Sequence, residues 1–489
     1  MRLAELLGTS GEAVNVDGGT VEIDGIAIDS RRVRPGDLFF ALRGTKTDGR
    51  QHAAEAVARG ARAIVADGPL AGVGVPVVQS ERPHRLLGHA AAVLAGDPSA
   101  ALTLVAVTGT NGKTTTTYLL EAIWRAVGFG PGVLGTVAYR FANESRPAEL
   151  TTPDALTLQS LLAEMRAAGT THVAMEVSSH ALAQDRVAGC RFDAAVFTNL
   201  TRDHLDFHGD LESYFAAKAR LFTELLPASG KPDPVAVVNV DDAAGARLAT
   251  GLATRCVRVG RAADADVRPV AIDTSLAGTR GTLDFRGTRV PFGSRLVGAP
   301  HVENILGAAA AAFALGVAPD AIAAGLAAAV PPPGRLEQIP GPGFTVVVDY
   351  AHSPDALARL LDVLRPLTAG RLITVFGCGG DRDRGKRPLM GAAAAGRSDV
   401  LILTSDNPRT EDPARILADI DAGVRAAPPV DYRVEPDRAA AIALAVDLAR
   451  PGDLVVVAGK GHEDYQIVGT VKRHFDDREE VRRLLGRPA

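Results

Sequence analysis

Short apolar runs alternate with longer amphipathic stretches through most of this chain, the rhythm expected of parallel strands that are covered by helices. The run LTLVAV at residues 102–107 is almost entirely apolar, and the stretch after it places Leu119, Ile123 and Val127 on one helical stripe. The same signal predicts strands at residues 172–177, 194–198, 235–240, 345–348, 372–376, 400–404 and 454–458. The pattern therefore predicts an α/β fold built mainly on parallel sheets.

Breaks in this rhythm predict the domain boundaries. The first hundred residues end at the turn Asp97-Pro98-Ser99, and Pro331-Pro332-Pro333-Gly334 is the clearest linker in the chain. Between them, residues 267–297 have a more antiparallel pattern with glycine turns, and the Ala- and Leu-rich residues 308–330 predict a helical stretch. We therefore expect three domains, at residues 1–98, 99–332 and 333–489.

Composition narrows the possible functions without pointing to one. The chain has 489 residues, of which 46% are hydrophobic and 22% charged, a globular balance that excludes global disorder. Its net charge of −4 argues against broad binding of nucleic acid or of an anionic membrane. Three cysteines without a CxxC pair, no signal-peptide core and no apolar run of about 20 residues favour a cytoplasmic protein. We expect a monomer with no nucleic-acid or membrane partner.

The segment TGTNGKT at residues 108–114 lies between the predicted strand and the amphipathic helix, where backbone N–H groups would hold phosphates. Lys113 would reach the β- and γ-phosphates, and the Thr114 hydroxyl would bind Mg²⁺. The strict phosphate-loop pattern has a glycine where this chain has Val107, and the alternative is a glycine turn with a solvated lysine. The strand-loop-helix context favours phosphate binding.

Several motifs in the same order carry a family resemblance over nearly the whole chain. TGTNGKTTT resembles the ATP loop of the Mur ligases and their folylpolyglutamate synthetase relatives, and MEVSSH, TNLTRDHLDFH and DYAHSPD extend the match. The resemblance implies a UDP-binding N-terminal α/β domain, a central P-loop-type mononucleotide-binding domain and a C-terminal Rossmann-like domain. His301 is a departure, because the family usually has Asn three places before Asn304. The implied ATP-binding residues are Gly109, Thr110, Asn111, Gly112, Lys113, Thr114, Thr115, Asn304, Arg335 and Asp349.

Glu176 and His204 follow predicted strands, at the edge where open α/β sheets bind ligands. A carboxylate and phosphate oxygens suit Mg²⁺, whereas His204 alone would be interpreted as a hydrogen-bonded loop residue. The family resemblance implies that Glu176 and His204, together with Thr114, bind Mg²⁺.

Lys218 falls on the apolar stripe of the predicted helix SYFAAKARLF. A lysine on such a face usually extends its amine to water, and the sequence alone favours that interpretation. The alternative is a partly desolvated amine with a lowered pKa, able to react with CO₂. The motif resembles the carbamylated-lysine helix of the Mur ligases, whose carbamate is a ligand of a second Mg²⁺, and on that resemblance we adopt the alternative. The implied catalytic residues are Lys113, Lys218, Glu176 and His204.

Two further groups resemble the family's contacts to a UDP-muramoyl-dipeptide. Ser30 and the loop at residues 45–49 would hold the UDP-sugar, although alone they predict an ordinary strand-turn-strand. Arg186 suits a carboxylate or a pyrophosphate, since arginine binds both bidentately. The residues implied in this binding are Ser30, Thr45, Lys46, Thr47, Thr151, Thr152, Ser178, Gln184 and Arg186.

The segment Asp406-Asn407-Pro408-Arg409 follows another predicted strand. Its first two side chains suit an ammonium group and Arg409 suits a carboxylate, but an Asn-Pro turn with a surface arginine is an equal alternative. DNPR resembles the motif of family members that add meso-diaminopimelate, whereas lysine-adding members lack that arginine. The implied amino-acid-binding residues are Arg382, Asp406, Asn407, Pro408, Arg409, Gly459 and Glu463.

The resemblance implies an ATP-dependent ligase that uses Mg²⁺ and adds meso-2,6-diaminopimelate to the D-glutamate of UDP-N-acetylmuramoyl-L-alanyl-D-glutamate. The reaction would belong to cytoplasmic peptidoglycan synthesis and pass through an acyl phosphate, from which domain closure is expected to exclude water. The alternatives are the same chemistry with L-lysine, folate polyglutamylation, and a binding module without activity. The folate enzymes lack the UDP-binding domain and the DNPR motif.

Overall fold

The computed structural model describes residues 1–8, 19–44 and 47–487 of the chain. These residues form two compact units. The first unit comprises Met1–Val270, Thr282–Val290 and Glu303–Ala328, and the second comprises Ala271–Gly281, Pro291–Val302 and Ala329–Ala489.

The first hundred residues build a parallel sheet within the first unit, in the strand order β1-β2-β3-β4 defined below. Its two inner strands are buried at every position, as their continuous apolar runs require. The strands are β1 (Gly25–Ala27), β2 (Asp37–Phe40), β3 (Ala63–Ala66) and β4 (Val77–Gln79). The helices are α1 (Leu3–Leu7), α2 (Ala53–Ala58), α3 (Pro83–Leu94) and α4 (Pro98–Ala101).

The next part of the chain forms a long sheet with helices in the connections between its strands. The strands are β5 (Thr103–Thr108), β6 (Pro131–Leu134), β7 (Ala138–Phe141), β8 (Glu144–Pro147), β9 (His172–Glu176), β10 (Ala194–Phe197), β11 (Val235–Asn239), β12 (Arg255–Val259), β13 (Val267–Ser275), β14 (Gly278–Phe285) and β15 (Thr288–Ser294). The helices are α5 (Lys113–Ala126), α6 (Ala155–Ala167), α7 (Ser179–Ala183), α8 (Leu205–His208), α9 (Leu211–Arg220), α10 (Ala243–Thr250), α11 (Ala299–Ala314) and α12 (Pro319–Ala328).

In this long sheet the strand order is β15-β14-β13-β12-β11-β10-β5-β9-β6-β7-β8. β5 lies between β9 and β10 and is parallel to both, so three carboxyl ends meet at one edge. The register pairs Val107 with Glu176 and Thr108 with Phe197. The ends of these three strands therefore place their following loops side by side.

The second unit contains its own mainly parallel sheet. Its strands pair in the order β16-β17-β21-β18-β19-β20, with β16 antiparallel, and β22 and β23 form a separate hairpin. The strands are β16 (Glu337–Pro340), β17 (Thr345–Asp349), β18 (Leu372–Phe376), β19 (Val400–Leu403), β20 (Asp431–Val434), β21 (Leu454–Ala458), β22 (Tyr465–Val468) and β23 (Val471–His474). The helices are α13 (Pro354–Leu364), α14 (Lys386–Ala395), α15 (Pro413–Arg425), α16 (Arg438–Leu448) and α17 (Asp477–Leu484).

The structure confirms the predicted α/β class, and one helical prediction needs correction. Residues 308–330 do not form a single helical stretch, since α11 ends at Ala314 and α12 begins at Pro319. Gly316 between them has a φ of +90°, which ends a helix, and a proline at the first position starts the next. No helix in the described part of the chain is long and apolar enough to cross a membrane.

A pair of glycines joins the N-terminal sheet to the long sheet within the first unit. A Cβ on Gly88, in the middle of α3, would lie 2.4 Å from the carbonyl oxygen of Ala188. A Cβ on Gly189 would lie 2.5 Å from the carbonyl oxygen of Gly88. The two backbones therefore touch directly, at a distance that only glycine permits.

We expect Gly88→Ala to destabilise the protein by about 1–3 kcal/mol, because the added methyl group forces α3 away from the backbone at Ala188. Thermal denaturation measures the effect. Gly307→Ala is the matched control, since Gly307 also lies inside a helix and its Cβ would meet Val196 at an ordinary 3.4 Å. Equal melting of both variants and the wild type would show that the close approach does not exist in solution.

Candidate active site

The loop between β5 and α5 is shaped by two glycines in left-handed conformations. Gly109 has a φ of +145° and Gly112 a φ of +90°. A Cβ on Gly109 would lie 1.9 Å from Thr198 Oγ1, and one on Gly112 would lie 2.1 Å from Asn304 Oδ1. The loop therefore packs against Asn304 and presents the N-terminus of α5, where backbone N–H groups favour phosphate.

Residues after β10 hold this loop in place. Asn199 Oδ1 accepts from the backbone N–H of Asn111 at 3.0 Å, and Thr198 Oγ1 donates to the carbonyl of Asn111 at 2.6 Å. The backbone N–H of Thr110 donates to the carbonyl of Asn199 at 2.9 Å. Sequence reasoning did not single out Thr198 or Asn199 individually, although their position directly after a predicted strand was a signal for them.

Two lysines converge on the same backbone carbonyl of the loop. The Lys113 amine donates to the carbonyl oxygens of Gly109 and Thr110, both at 2.9 Å. The Lys218 amine also donates to the Gly109 carbonyl at 2.9 Å. Thr114 and Thr115, which follow Lys113 in sequence, are buried in the first turn of α5.

Lys218 does not extend to solvent, contrary to what its sequence context alone favours. Only 1% of the residue is exposed, and its amine lies 4.5 Å from the centre of the Tyr214 ring. The Tyr214 hydroxyl lies 3.2 Å from Thr110 Oγ1, which anchors α9 to the phosphate loop. Burial, with Lys113 as a second cause, lowers the pKa of the Lys218 amine well below its usual range. The geometry therefore favours the uncharged, nucleophilic form of this amine.

Glu176 ends β9 beside the loop and is almost fully buried, with 1% exposure. Its carboxylate accepts the backbone N–H of Thr136 at 2.9 Å and the Thr136 hydroxyl at 3.0 Å. A carboxylate keeps further lone pairs after accepting two hydrogen bonds. Glu176 is therefore fixed in orientation and still able to bind a cation.

His204 lies in the loop after β10, with a left-handed φ of +52°. Its Nε2 is 3.5 Å from Asp203 Oδ2, and its ring centre is 4.9 Å from that of His180. Burial lowers the pKa of His204, opposed by Asp203 and reinforced by Lys113 and Lys218. A neutral imidazole is the form that binds metals.

The donor set fits a magnesium ion only with oxygen ligands beyond the usual acidic side chains. In the described ranges, no three or more His, Cys, Asp or Glu side chains form a group that could hold a metal ion. Glu176 and His204 would supply only two side chains of these types, and the Thr114 hydroxyl would add an oxygen of the kind Mg²⁺ prefers. Nucleotide phosphates and a modified Lys218 would supply the remaining oxygens.

The residues predicted to bind the dipeptide form one network that begins at Glu176. Thr152 Oγ1 donates to the backbone carbonyl of Glu176 at 2.9 Å and accepts from the Ser178 N–H at 3.1 Å. Arg186 Nη1 donates to the carbonyl of Thr152 at 3.0 Å, and its Nε and Nη2 hold Gln184 Oε1 at 2.9 and 2.7 Å. The structure thus brings these four residues together.

Thr151 joins the same region through its hydroxyl, which lies 3.1 Å from that of Thr136. After β1, the buried Ser30 starts a short 3-10 helix, and its hydroxyl donates to Glu55 Oε2 at 2.7 Å. The carbonyl of Thr47 accepts from the N–H of Gly44 at 2.9 Å. The other two predicted residues of that loop, Thr45 and Lys46, lie outside the described residues.

In the second unit, Arg335 and Asp349 lie around Tyr350. The Arg335 guanidinium is 4.7 Å from the centre of the Tyr350 ring, and its buried Nε has no hydrogen-bond partner among the residues that the structure describes. Asp349 accepts the N–H groups of Leu336 and Ala351, both at 2.8 Å. Burial raises the pKa of Asp349, and Arg335 opposes that shift. An arginine with an unused buried N–H suits a phosphate or a carboxylate.

The predicted amino-acid site lies at the carboxyl ends of β19 and β21. Asn407 Nδ2 donates to Glu463 Oε2 at 3.0 Å, and a Cβ on Gly459, at φ +116°, would lie 2.8 Å from Asp406 Oδ2. Burial and the Asp406 carboxylate raise the pKa of Glu463. Two neighbouring carboxylates of this kind would be stabilised by an incoming ammonium group.

Arg409 is held in a left-handed conformation, with a φ of +52°, above two glycines. Its Nη1 donates to the carbonyl of Gly380 at 2.8 Å, and a Cβ on Gly379 would lie 2.9 Å from that nitrogen. The same Cβ would lie 3.8 Å from Arg382 Cγ, so the two arginines border one glycine turn. A Cβ on Gly380 would lie 1.9 Å from the carbonyl oxygen of Pro408. Two guanidinium groups at one turn are chemically suited to a carboxylate.

The hairpin β22–β23 holds the DNPR segment from the other side, which the sequence did not predict. The Arg409 N–H donates to the carbonyl of Ile467 at 3.0 Å, and the Ile467 N–H donates to Asn407 Oδ1 at 2.9 Å. Gln466 Nε2 donates to the carbonyl of Asp406 at 2.8 Å. The signal for this hairpin was the Gly469-Thr470 turn between the short segments YQIV and VKRH.

Comparison with known proteins gives consistent matches along the chain. Three family models match, described as "Mur ligase family, catalytic domain" over residues 22–94, "Mur ligase middle domain" over residues 107–312 and "Mur ligase, glutamate ligase domain" over residues 334–461. A UDP-N-acetylmuramoyl-L-alanyl-D-glutamate--2,6-diaminopimelate ligase of Geobacter metallireducens is 48% identical and covers 94% of each chain.

The ligase of the same name from Gloeobacter violaceus is 49% identical and covers 100% of this chain and 98% of its own. A solved structure with that name is 36% identical, has a TM-score of 0.73 and covers 99% of each chain.

We expect Lys218→Met to be more stable than the wild type at neutral pH in buffer free of CO₂. The folded lysine is uncharged well below its usual pKa of 10.5, whereas the unfolded lysine keeps its proton up to that pH. The wild type should therefore gain free energy of unfolding relative to the variant as pH rises toward 10.5, by at most about 1.4 kcal/mol per pH unit. Urea denaturation at several pH values measures this difference.

Lys231→Met is the control for that experiment. Lys231 Nζ pairs with Asp193 Oδ2 at 3.0 Å, so removing its amine should lower stability instead of raising it. A pH-independent difference between Lys218→Met and the wild type would show that the Lys218 amine stays protonated in the folded state.

Proposed function

This chain belongs to the Mur ligase family, and we propose that it joins meso-2,6-diaminopimelate to the D-glutamate of UDP-N-acetylmuramoyl-L-alanyl-D-glutamate at the expense of ATP. The observation that carries this proposal is the site around DNPR, which combines the buried Asp406 carboxylate and the partly buried Glu463 carboxylate with the arginines Arg409 and Arg382. An amino acid with an ammonium group and a carboxylate at its distal end matches that mixture of charges. The full-length similarity to ligases of this name supports the same conclusion.

The reaction activates a carboxylate and then exchanges phosphate for an amine. ATP transfers its γ-phosphoryl group to the glutamate side-chain carboxylate, which gives an acyl phosphate and ADP. The amine of diaminopimelate attacks the acyl carbon, and the tetrahedral intermediate expels phosphate and leaves an amide. In this scheme the N–H groups of the loop from Gly109 to Gly112 orient the phosphates, and the Lys113 amine offsets the charge of the transferring group.

Thr114, Glu176 and His204 would hold Mg²⁺, together with Lys218 as a carbamate. When bound, the ion would neutralise phosphate charge and orient the phosphates for transfer. The support for the carbamate is the position of Lys218, whose buried amine lies with Lys113 at the Gly109 carbonyl. Reaction of the neutral amine with CO₂ would form an N–C bond and release one proton, and Lys113 would stabilise the resulting carbamate anion.

The remaining predicted residues would bind the substrates. Asn304, which packs against Gly112, would contact adenine, Arg335 would contact phosphate and Asp349 would contact ribose. The UDP-sugar would bind at Ser30, Thr45, Lys46 and Thr47. The peptide would bind at Thr151, Thr152, Ser178, Gln184 and Arg186, whose network starts at Glu176. Diaminopimelate would bind at Arg382, Asp406, Asn407, Pro408, Arg409, Gly459 and Glu463. We propose that this chemistry takes place in the cytoplasm, as one step of peptidoglycan precursor synthesis.

The test of the reaction is phosphate release from ATP with Mg²⁺ and UDP-N-acetylmuramoyl-L-alanyl-D-glutamate, with meso-diaminopimelate or L-lysine added separately. We expect release with diaminopimelate and little with L-lysine, since lysine leaves Arg409 without a carboxylate partner. Release with L-lysine alone would keep the ligase chemistry and overturn the specificity. Silence with both amino acids, but glutamate addition to a folate acceptor, would indicate the folate-type activity.

Arg409→Lys tests the role of the distal carboxylate. A lysine loses the two-pronged contact, so we expect the KM for diaminopimelate to rise roughly tenfold or more with the KM for ATP unchanged. Arg397→Lys is the control, because Arg397 pairs with Asp362 at 2.8 Å on the surface of the same unit. An Arg409→Lys enzyme with the wild-type KM for diaminopimelate would exclude Arg409 from binding that carboxylate.

A further inference from the structure

A fully buried ion pair lies beneath the predicted amino-acid site. The side chains of Arg438, at the start of α16, and Asp477, at the start of α17, are both 0% exposed. Arg438 Nε and Nη2 donate to the two carboxylate oxygens of Asp477, each at 2.7 Å. This bidentate geometry satisfies both carboxylate oxygens and fixes the plane of the guanidinium.

The other N–H groups of Arg438 bind backbone carbonyls at the ends of two strands. Its Nη1 donates to the carbonyl of Ser405 at 3.2 Å, and its Nη2 donates to the carbonyl of Ala458 at 3.0 Å. Ser405 follows β19 and precedes Asp406, whereas Ala458 is the last residue of β21 and precedes Gly459. β18 lies between these strands in the sheet, so one guanidinium joins two strand ends that are not neighbours.

These strand ends carry both halves of the predicted amino-acid site. Asp406 and Asn407 continue from one carbonyl, and Gly459 and Glu463 continue from the other. Their spacing is tight, since Asn407 Nδ2 is 3.0 Å from Glu463 Oε2. The positive charge of Arg438 also interacts with the Asp406 and Glu463 carboxylates, which repel each other.

We propose that Arg438 is a positioning residue that sets the separation between the two halves of the amino-acid site, and thereby the affinity for the incoming amino acid. The proposal rests on the proposed function of that site. Arg438 does so from beneath the site, through the carbonyls of Ser405 and Ala458. A buried ion pair by itself contributes little net stability, so its value lies in the geometry that it imposes.

A second ion pair at the opposite end of the same sheet provides a matched control. Arg371 precedes β18 and Asp453 precedes β21, and Arg371 Nη2 lies 2.7 Å from Asp453 Oδ2. Arg371 Nη2 also donates to the carbonyl of Leu448 at 2.6 Å. This pair has the same chemistry as Arg438 and Asp477 but joins the amino ends of strands, away from the predicted site.

The experiment compares Arg438→Gln and Arg371→Gln in the full-length enzyme. The measurements are the melting temperature, kcat, and the KM values for diaminopimelate and for ATP. We expect both variants to melt earlier, but only Arg438→Gln to raise the KM for diaminopimelate, by roughly tenfold, since it loses hydrogen bonds from a charged donor. The KM for ATP should stay within about twofold of the wild-type value in both variants.

A double variant separates the positioning role of Arg438 from its contribution to the stability of the protein. Arg438→Met with Asp477→Leu removes both buried charges and replaces them with apolar groups, an exchange that is often neutral or stabilising. It should recover the melting temperature and keep the raised KM for diaminopimelate, because neither carbonyl regains a donor. It also carries the test if Arg438→Gln does not fold. Arg438→Lys, which keeps the charge and loses the fork, should have an intermediate KM.

Three outcomes would overturn the proposal. One is a double variant with the wild-type KM for diaminopimelate, and another is an equal rise in that KM in Arg371→Gln. The third is failure of both Arg438→Gln and the double variant to fold, which would assign the arginine to stability alone. A wild-type enzyme that turns over another amino acid in place of diaminopimelate would refute the proposed specificity instead, and the same comparison would then be made with that amino acid.

Discussion

Two lysine amines share one acceptor, the carbonyl oxygen of Gly109, and that convergence restricts the charge that the two amines can carry together. Lys113 and Lys218 each lie 2.9 Å from this oxygen, and Lys218 is buried away from solvent. Burial, and then repulsion from Lys113, lower the pKa of the Lys218 amine well below its usual range. The loop therefore favours a neutral amine at Lys218 beside the Lys113 amine. A bound phosphate or a carbamate would each relieve the remaining positive charge.

Close backbone contact is the second constraint, and it fixes the spacing between loops of both units and the polar side chains beside them. Gly109, Gly112 and Gly459 each have a positive φ, and a Cβ on any of them would fall within 3 Å of a polar side chain. The side chains involved are Thr198, Asn304 and Asp406, all of them at or beside predicted binding positions. Because no methyl group fits between loop and side chain, the polar atoms stay at hydrogen-bond range of a ligand that approaches the same backbone.

Much of this arrangement could be predicted from local sequence, because its causes are local. Continuous apolar runs predict the buried strands, and the position of a polar residue directly after such a run places Glu176 and Asp406 at the carboxyl edges. The burial of Lys218 could not be decided in this way, since a lysine on an apolar stripe is compatible with either a solvated or a buried amine. The outcome depends on Tyr214 and Gly109, and the latter lies 109 residues away in sequence.

The same limit applies to Arg438 and Asp477, which are 39 residues apart and carry no recognisable motif. Each begins a helix, where the acidic Asp477 is favoured and the basic Arg438 is disfavoured by the helix dipole, but neither position by itself points to a binding site. Only the tertiary packing brings them together, since α16 packs against β19, β21 and α17. The DNPR motif carries side chains of the predicted amino-acid site. The groups that hold this motif in place lie in α16, α17 and the hairpin β22–β23.

The charges near Gly459 favour the binding of an ammonium group at that end of the predicted amino-acid site. At the end of the site near Gly459, Asp406, Glu463 and Asp477 contribute three carboxylates, and the fully buried Arg438 and Lys460 contribute two cations, which leaves one negative charge there. Arg409 is not part of this group, because its guanidinium lies at Gly380. Lys460 Nζ lies 3.5 Å from Glu463 Oε2, so each carboxylate of the pair Asp406–Glu463 has a nearby cation, but the group as a whole lacks one. Burial and then the Asp406 carboxylate raise the pKa of Glu463, and Lys460 opposes that shift. A substrate ammonium would complete the balance and lower that pKa again, whereas an uncharged side chain would leave the repulsion in place.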